Sequence, residues 1–159
     1  MKYKCYCGNG VTLNQKAAKL ILSDQEMFCS CKCFHRYLID SKPQTKEMPF
    51  MASDGLIDSP SEQWDRITKK KYRSLYEVYV ARFFHFNSIL FLYEKYTIPV
   101  GNQHYTPDFY LPELNMFVEV KGLWGQGSKR KFTSATKKVD IVLLPAYLQR
   151  DFAKHYKDI

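Results

Sequence analysis

The stretch YTPDFYLPELNMFVEVKGLW, residues 105–124, decides the fold of this chain of 159 residues. Its two halves, TPDFYL (106–111) and NMFVEVKG (115–122), alternate apolar and polar residues with a period of two around the turn PEL. That alternation predicts a β-hairpin. Three charged residues nevertheless stand inside the two apolar runs, namely Asp108, Glu119 and Lys121.

The charged residues of the hairpin are expected to lie together. Alternation places Val118 and Val120 on one face of the second strand and Glu119 and Lys121 on the other. Asp108 stands on the partner strand, roughly 5–8 Å away across a face. Two carboxylates this close repel each other, and a hard divalent cation such as Mg²⁺ relieves that repulsion. The alternative is an ordinary salt bridge on a solvated sheet face.

A metal ion held by this pair suggests phosphate chemistry. Such an ion activates a water molecule and stabilises the charge that grows on a phosphate. Lys121 stands two residues beyond Glu119, where its ammonium group orients the water or neutralises the phosphate. The main-chain carbonyl of Val120 is a further candidate ligand for the ion.

The segments around the hairpin predict an α/β domain over residues 60–159. Ser59, Pro60 and Glu62 match a helix start, so a helix is expected from Trp64 to about Phe91, with Asn87-Ser88 as the candidate site of a break. A strand (93–100), the hairpin, a short basic helix (128–138), a buried strand (139–145) and a closing helix (146–156) follow. The order α-β-β-β-α-β-α predicts a mixed sheet flanked by helices.

All five cysteines lie at positions 5, 7, 29, 31 and 33. An odd number in a chain without a secretion signal favours metal binding over disulfides. The spacing resembles a treble-clef zinc module, in which four thiolates close a structural site. The expected ligands are Cys5, Cys7, Cys29 and Cys33, with Cys31 or His35 as alternates. The competing interpretation is a set of free buried or redox-active thiols.

Residues 1–40 are therefore expected to form a small zinc-binding module, and residues 41–59 to form a linker. A module of about 40 residues buries too little surface to fold alone, and structural zinc contributes about 10–16 kcal/mol of apparent folding energy.

The net charge of +8 favours a polyanionic partner, most often nucleic acid. Basic residues cluster in RITKKKYR (66–73) and KGLWGQGSKRK (121–131), on either side of the hairpin. No apolar run approaches the length of a membrane span, and the first ten residues lack an apolar signal segment. The chain is expected to be cytoplasmic, with no membrane partner.

The pairing of Pro107-Asp108 with Glu119-Val120-Lys121 resembles the PD-(D/E)XK nuclease superfamily. The strings YTPDFYLP, FVEVKGLW and the upstream RSLYE resemble, more narrowly, the bacteriophage endonuclease I family, which resolves Holliday junctions and other branched DNA. The resemblance covers about residues 73–124, follows the fold to roughly 145, and omits residues 1–60.

This resemblance implies a restriction-endonuclease-like fold and a DNA endonuclease that uses Mg²⁺ or Mn²⁺, forms a homodimer, and works in a phage-infected or bacterial cell. It implies that Asp108 and Glu119 bind the metal, that Lys121 is the catalytic lysine, and that Glu77 of RSLYE completes the site. The basic segments then become candidates for sequence-independent contacts with double-stranded or branched DNA: Lys69, Lys70, Lys71, Arg73, Lys129, Arg130 and Lys131.

The zinc module is absent from the endonuclease I pattern, and three functions stay open. The first is a structure-selective endonuclease that acts on branched DNA. The second is a sequence-specific enzyme, of the homing or nicking type, whose zinc module reads DNA. The third is a DNA-binding module without catalytic activity.

Overall fold

A computed structural model of the protein describes residues 1–22, 24–45, 51–52 and 62–159. The strands are β1 (Lys2–Lys4), β2 (Gly10–Thr12), β3 (Met51–Ala52), β4 (Gln63–Asp65), β5 (Lys70–Tyr72), β6 (Leu92–Tyr93), β7 (Tyr96–Val100), β8 (Gln103–Tyr105), β9 (Phe109–Leu111), β10 (Met116–Lys121) and β11 (Ile141–Pro145). The helices are α1 (Gln15–Ala18), α2 (Cys31–Asp40), α3 (Leu75–Phe86), α4 (Ser128–Thr136) and α5 (Gln149–Tyr156), the last preceded by a 3₁₀ turn, Ala146–Leu148.

The predicted hairpin is confirmed and forms the middle of a mixed four-stranded sheet, but its first strand begins at Phe109, so Asp108 directly precedes the strand instead of lying on it. The strand order is β11-β10-β9-β6. Strand β10 runs antiparallel to β9, with Val118 opposite Phe109, and parallel to β11, with Glu119 opposite Leu143. Helix α4 makes the crossover between the two parallel strands. The predicted mixed α/β class, the helix over 128–138, the strand over 139–145 and the closing helix are all confirmed.

Both faces of β10 are covered by side chains. Val118 and Val120 belong to a core shared with α3, α5 and the N-terminal segment. Phe117, on the opposite face, belongs to a second core with Phe132 of α4 and Leu143 of β11. The face that carries Glu119 is therefore not a solvated sheet surface.

The predicted helix from Trp64 to Phe91 starts too early, whereas its end agrees with the break that the sequence allowed near Asn87-Ser88. Residues Gln63–Asp65 and Lys70–Tyr72 pair as an antiparallel hairpin, and the helix occupies only Leu75–Phe86. Its N-cap is Ser74, whereas the predicted cap at Ser59 lies outside the described residues. The predicted strand over 93–100 is split into β6 and β7 by Glu94, whose φ of 43° interrupts the extended backbone.

The buried side chain of Asp65 explains why a hairpin replaces the first part of that helix. Its carboxylate accepts hydrogen bonds from the N–H of Thr68 at 3.0 Å and the Thr68 hydroxyl at 2.8 Å. The guanidinium of Arg82 donates to it at 3.0 and 2.8 Å. Asp65 therefore closes the turn and ties the hairpin to α3.

The cysteine-bearing segment packs directly on the α/β part of the chain. Phe34 of α2 stacks on Phe83 of α3 with ring centroids 5.5 Å apart and lies 6.4 Å from Phe152 of α5. Gln44, in the predicted linker, donates its N–H to the carbonyl of Leu114 at 3.0 Å. Domain boundaries at residues 40 and 60 stay a prediction, but the contacts across them form one continuous core.

Strand β3 also falls in the predicted linker and pairs through its backbone with β7. Among the described helices, none combines the length and apolar character that crossing a membrane requires.

Candidate active site and thiol cluster

The two hairpin carboxylates are held by each other's backbone. The N–H of Asp108 donates to Oε2 of Glu119 at 3.2 Å, and the N–H of Val120 donates to Oδ2 of Asp108 at 2.7 Å. Asp108 is 8% exposed and Glu119 4% exposed. The predicted proximity of the pair is therefore present, and its burial excludes a salt bridge on a solvated face.

Burial makes a double negative charge at this pair unfavourable. It raises the pKa of Asp108 well above its ordinary value, and the charges of Glu119 and then Glu77 raise it further. Burial also raises the pKa of Glu119 to about 7, against the lowering effects of Tyr105 and Lys121. A bound cation removes this penalty because it favours the ionised form of both groups.

Lys121 lies at the exit of β10, where the sequence predicts it. Its Nζ is 3.6 Å from Oε1 of Glu119 and 5.3 Å from the centre of the Trp124 ring. Val120 stands between Glu119 and Lys121 in the chain, and its N–H donates to Asp108. The Tyr105 hydroxyl lies close enough to Glu119 to lower the pKa of that carboxyl. It is buried without a hydrogen bond of normal geometry.

Glu77 is buried beside the pair, but its oxygens are bound to its own helix terminus. The N–H of Glu77 donates to Oγ of Ser74 at 3.2 Å, and the Ser74 hydroxyl donates to Oε1 of Glu77 at 3.0 Å. Its Oε2 accepts from the N–H of Arg73 at 3.0 Å and from the Tyr93 hydroxyl. This is a variant of the capping box, because Glu77 accepts the N–H of Arg73, one residue before the N-cap Ser74, and not the N–H of Ser74 itself. Burial raises the pKa of Glu77.

Glu77 therefore influences the pair through its charge, which raises the pKa of both carboxyls, and not as a member of a shared group of ligand atoms. Two groups of three or more metal-binding side chains in the described residues bring their ligand atoms within 4.8 Å of one another. Both groups contain cysteine, and neither contains the hairpin carboxylates. The structure thus brings Asp108 and Glu119 together and leaves Glu77 as a neighbour.

Glu94 is a fourth carboxylate near the pair that sequence reasoning missed. Its N–H donates to the carbonyl of Asp108 at 2.8 Å, and Arg73 binds its carboxylate at 2.7 and 3.2 Å. Its charge contributes to the raised pKa of Asp108. No pattern in the sequence indicates this role, because it depends on the positive φ that turns the chain between β6 and β7.

Four of the seven residues predicted to contact DNA already have a partner within the protein. Arg73 is bound to Glu94, Lys71 pairs with Glu62 at 3.4 Å, and Lys70 lies 4.9 Å over the Phe91 ring. Lys129 donates to the carbonyl of Lys19 at 3.2 Å. Within the described chain no side-chain partner engages the remaining three, which are Lys69, Arg130 and Lys131.

Four of the five thiols converge at the N-terminal segment. Sγ of Cys5 lies 3.3 Å from that of Cys33 and 3.4 Å from that of Cys7. Cys7 lies 3.7 Å from Cys29. Zinc with Zn–S bonds of about 2.3 Å implies sulfur separations of about 3.8 Å, so the four thiols fit a tetrahedral site. None of the five cysteines forms a disulfide.

The two alternate ligands stand apart from this cluster. Cys31 lies instead with Asp151 and His155. His35 packs edge-on against Phe83, with ring centroids 5.7 Å apart. The expected set of Cys5, Cys7, Cys29 and Cys33 is therefore the one that the structure assembles.

The N-terminal segment also reaches the edge of the carboxylate site. The indole Nε1 of Trp124 donates to the carbonyl of Leu20 at 3.1 Å, and Lys129 binds the adjoining carbonyl of Lys19. Trp124 is the residue whose ring lies beside Lys121. The segment that carries the thiols is thus in contact with the rim of the site.

Part of the chain is similar to Endonuclease I of Escherichia phage T7, with 42% identity over 64 residues. The match covers 38% of this chain and 42% of that protein, so the chain spans less than half the length of its relative. Comparison with protein families and with solved structures gives no match.

Proposed function

We propose that the protein is a metal-dependent DNA endonuclease that hydrolyses phosphodiester bonds, with a preference for branched DNA such as Holliday junctions. The observation that carries the proposal is the buried Asp108–Glu119 pair with Lys121 beside it. The partial similarity to a phage endonuclease supports the same activity. The fold proposed for residues 60–159 is restriction-endonuclease-like, because the carboxylates stand on a hairpin whose second strand is parallel to a strand reached through a helix.

The residues of the pair fit Mg²⁺ or Mn²⁺. Both ions take oxygen ligands, and a site with few carboxylates leaves room for water. Asp108, Glu119 and the carbonyl of Val120 would hold the ion. Burial and then the charges of Glu119 and Glu77 raise the pKa of Asp108, and a cation here would offset that crowding of negative charge. When bound, the ion supplies a water of lowered pKa and positive charge against the phosphate.

The surrounding residues orient the attacking water and neutralise the charge of the DNA. Lys121, held at 3.6 Å from Glu119, keeps an ammonium group where it neutralises a phosphate oxygen or orients the attacking water. Glu77 fixes the start of α3 next to the site through its hydrogen bonds with Arg73 and Ser74. Lys69, Arg130 and Lys131 bind the DNA backbone without reading sequence.

The test is cleavage, with Mg²⁺, of a four-way junction, a linear duplex library and single-stranded DNA. Asp108→Asn and Glu119→Gln are expected to lose at least a hundredfold in cleavage rate and to keep DNA binding. Glu113→Gln, an exposed carboxylate in the turn of the same hairpin, is the matched control and keeps full activity. Unchanged cleavage by either site variant would overturn the proposal.

The contact of the thiol-bearing segment with the rim of the site favours a second candidate function. Leu20 and Lys19 touch Trp124 and Lys129, and this contact supports a role for the segment in binding the DNA that is cut. In that case the enzyme is a sequence-specific endonuclease of the homing or nicking type. Cleavage at one duplex sequence supports it, whereas cleavage of the junction alone supports structure selection.

The same assay tests the third function. Binding of DNA without cleavage of any substrate would identify a non-catalytic module. A homodimer is part of the proposal, since paired cuts in a branched substrate need two sites, and light scattering in solution measures its mass.

A further inference from the structure

Cys31 is the one cysteine that the four-thiol cluster does not use. Its Sγ, a carboxylate oxygen of Asp151 and a ring nitrogen of His155 lie within 4.8 Å of one another. We propose that Cys31, Asp151 and His155 bind a second transition-metal ion, zinc by preference, separate from the four-thiol cluster and from the hairpin carboxylates. This proposal does not depend on nuclease activity.

Two helices hold the three side chains in place. Asp151 and His155 are four residues apart on α5, a spacing that puts both on one face of a helix. Cys31 is the first residue of α2, and its N–H donates to Oδ2 of Asp151 at 2.6 Å. The backbone of Cys31 thereby holds the Asp151 carboxylate near the Cys31 thiol, and the second carboxylate oxygen is left for another partner.

Aromatic packing keeps the two helices together without the metal. Phe34 of α2 contacts Phe152 of α5, and both pack against Phe83. The Tyr147 hydroxyl, just before α5, donates to the carbonyl of Phe28 at 2.7 Å. The ligands therefore sit on a scaffold that is held together by packing and not by the ion.

The donor set selects the class of metal. A thiolate and an imidazole suit zinc and similar ions, whereas Mg²⁺ prefers oxygen ligands alone. Three protein ligands leave a fourth position for water. Cys31 is buried and His155 exposed, so the site opens to solvent on the histidine side.

A structural role accounts for only two of the three residues. Asp151 caps the start of α2, and Cys31 fills space in the core. Neither purpose needs a histidine four residues after Asp151, so His155 separates the two interpretations. It is also exposed, so its replacement leaves the fold intact.

Zinc stoichiometry of the full-length protein, measured with a chromophoric chelator in excess Mg²⁺, tests the proposal. Two equivalents are expected, one for each cysteine-containing site. His155→Ala and Asp151→Asn are each expected to bind one equivalent, and in the second variant the amide oxygen of the new side chain still accepts the N–H of Cys31. His85→Ala, which removes an exposed histidine of α3, is the control and keeps two.

One equivalent in the unaltered protein, or two in His155→Ala, would overturn the proposal. Glu119→Gln should keep both equivalents, so the result is independent of the proposed nuclease site. With Co²⁺ in place of zinc, His155→Ala should remove only the weaker thiolate-to-cobalt absorption of a one-thiolate site. Cys7→Ser should instead remove the stronger absorption of the four-thiolate site.

Discussion

At the scale of single residues, Glu119 costs the folded protein stability whenever it ionises without a cation. Its ordinary pKa is 4.5, and burial raises it to about 7. Between these values the folded state keeps a proton that the unfolded state has released, so the free energy of unfolding falls as pH rises. The loss is complete above pH 7 and absent below pH 4.5.

Glu119→Gln should therefore gain stability relative to the unaltered protein as pH rises. From pH 4.5 to 7.5 in Mg²⁺-free buffer, the difference in unfolding free energy should shift toward the variant by about 3 kcal/mol, at about 1.4 kcal/mol per pKa unit. Urea unfolding at several pH values measures it. Glu113→Gln should show no such shift, and added Mg²⁺ should reduce it. If the unfolding free energies of Glu119→Gln and the unaltered protein changed in parallel with pH, the prediction would be contradicted.

The sequence predicted the hairpin residues well because side-chain alternation and strand pairing are local. Glu77 was reached only by resemblance, although Ser74-Leu75-Tyr76-Glu77 is itself a capping-box pattern. The similar pattern at Ser59–Glu62, which begins outside the described residues, extended the predicted helix over residues 63–72, which form a hairpin. Glu94 was out of reach, because its position follows from backbone torsion and from its ion pair with Arg73.

At the scale of elements, tertiary contacts override local propensity between Gln63 and Tyr72. The run of lysines there suits a helix, yet the residues form a hairpin with Lys69 at a φ of 56°. Arg82 of α3 binds Asp65, which is 1% exposed. A partner seventeen residues away in the chain leaves no signal in a local pattern.

Asp65→Ala should therefore destabilise the protein by about 3–5 kcal/mol, because it leaves the largely buried guanidinium of Arg82 without its carboxylate partner. Arg36→Ala removes the exposed ion pair with Asp40 and should cost less than about 1 kcal/mol. Urea unfolding of both variants compares the two. Equal, small effects would show that the hairpin is not tied to α3 through Asp65.

At the scale of the whole molecule, the thiol-bearing segment is continuous with the rest of the fold. The sequence predicted a separate module because all cysteines lie in the first fifth of the chain, ahead of a stretch rich in breakers. Packing between distant segments, such as Phe34 against Phe83 and Phe152, is invisible to that pattern. Leu20 and Lys19 also bring the thiol-bearing segment into contact with the rim of the carboxylate site.

Loss of the ion proposed for the four-thiol cluster should consequently affect the entire protein. Structural zinc contributes about 10–16 kcal/mol of apparent folding energy, which equals or exceeds the total stability of about 5–15 kcal/mol for a typical domain. Cys7→Ser should therefore lose the cooperative thermal transition of the full chain, together with any cleavage activity.

Calorimetry of the full-length protein measures this effect, with Lys32→Ala, an exposed position in α2, as the control. An independent module predicts a different result, in which Cys7→Ser keeps the main transition at its original temperature and loses only a small early one. The shared aromatic core argues for a single transition, because Phe34 cannot leave Phe83 of α3 and Phe152 of α5 without opening the centre of the molecule. A preserved main transition in Cys7→Ser would show that the two parts fold separately despite that contact.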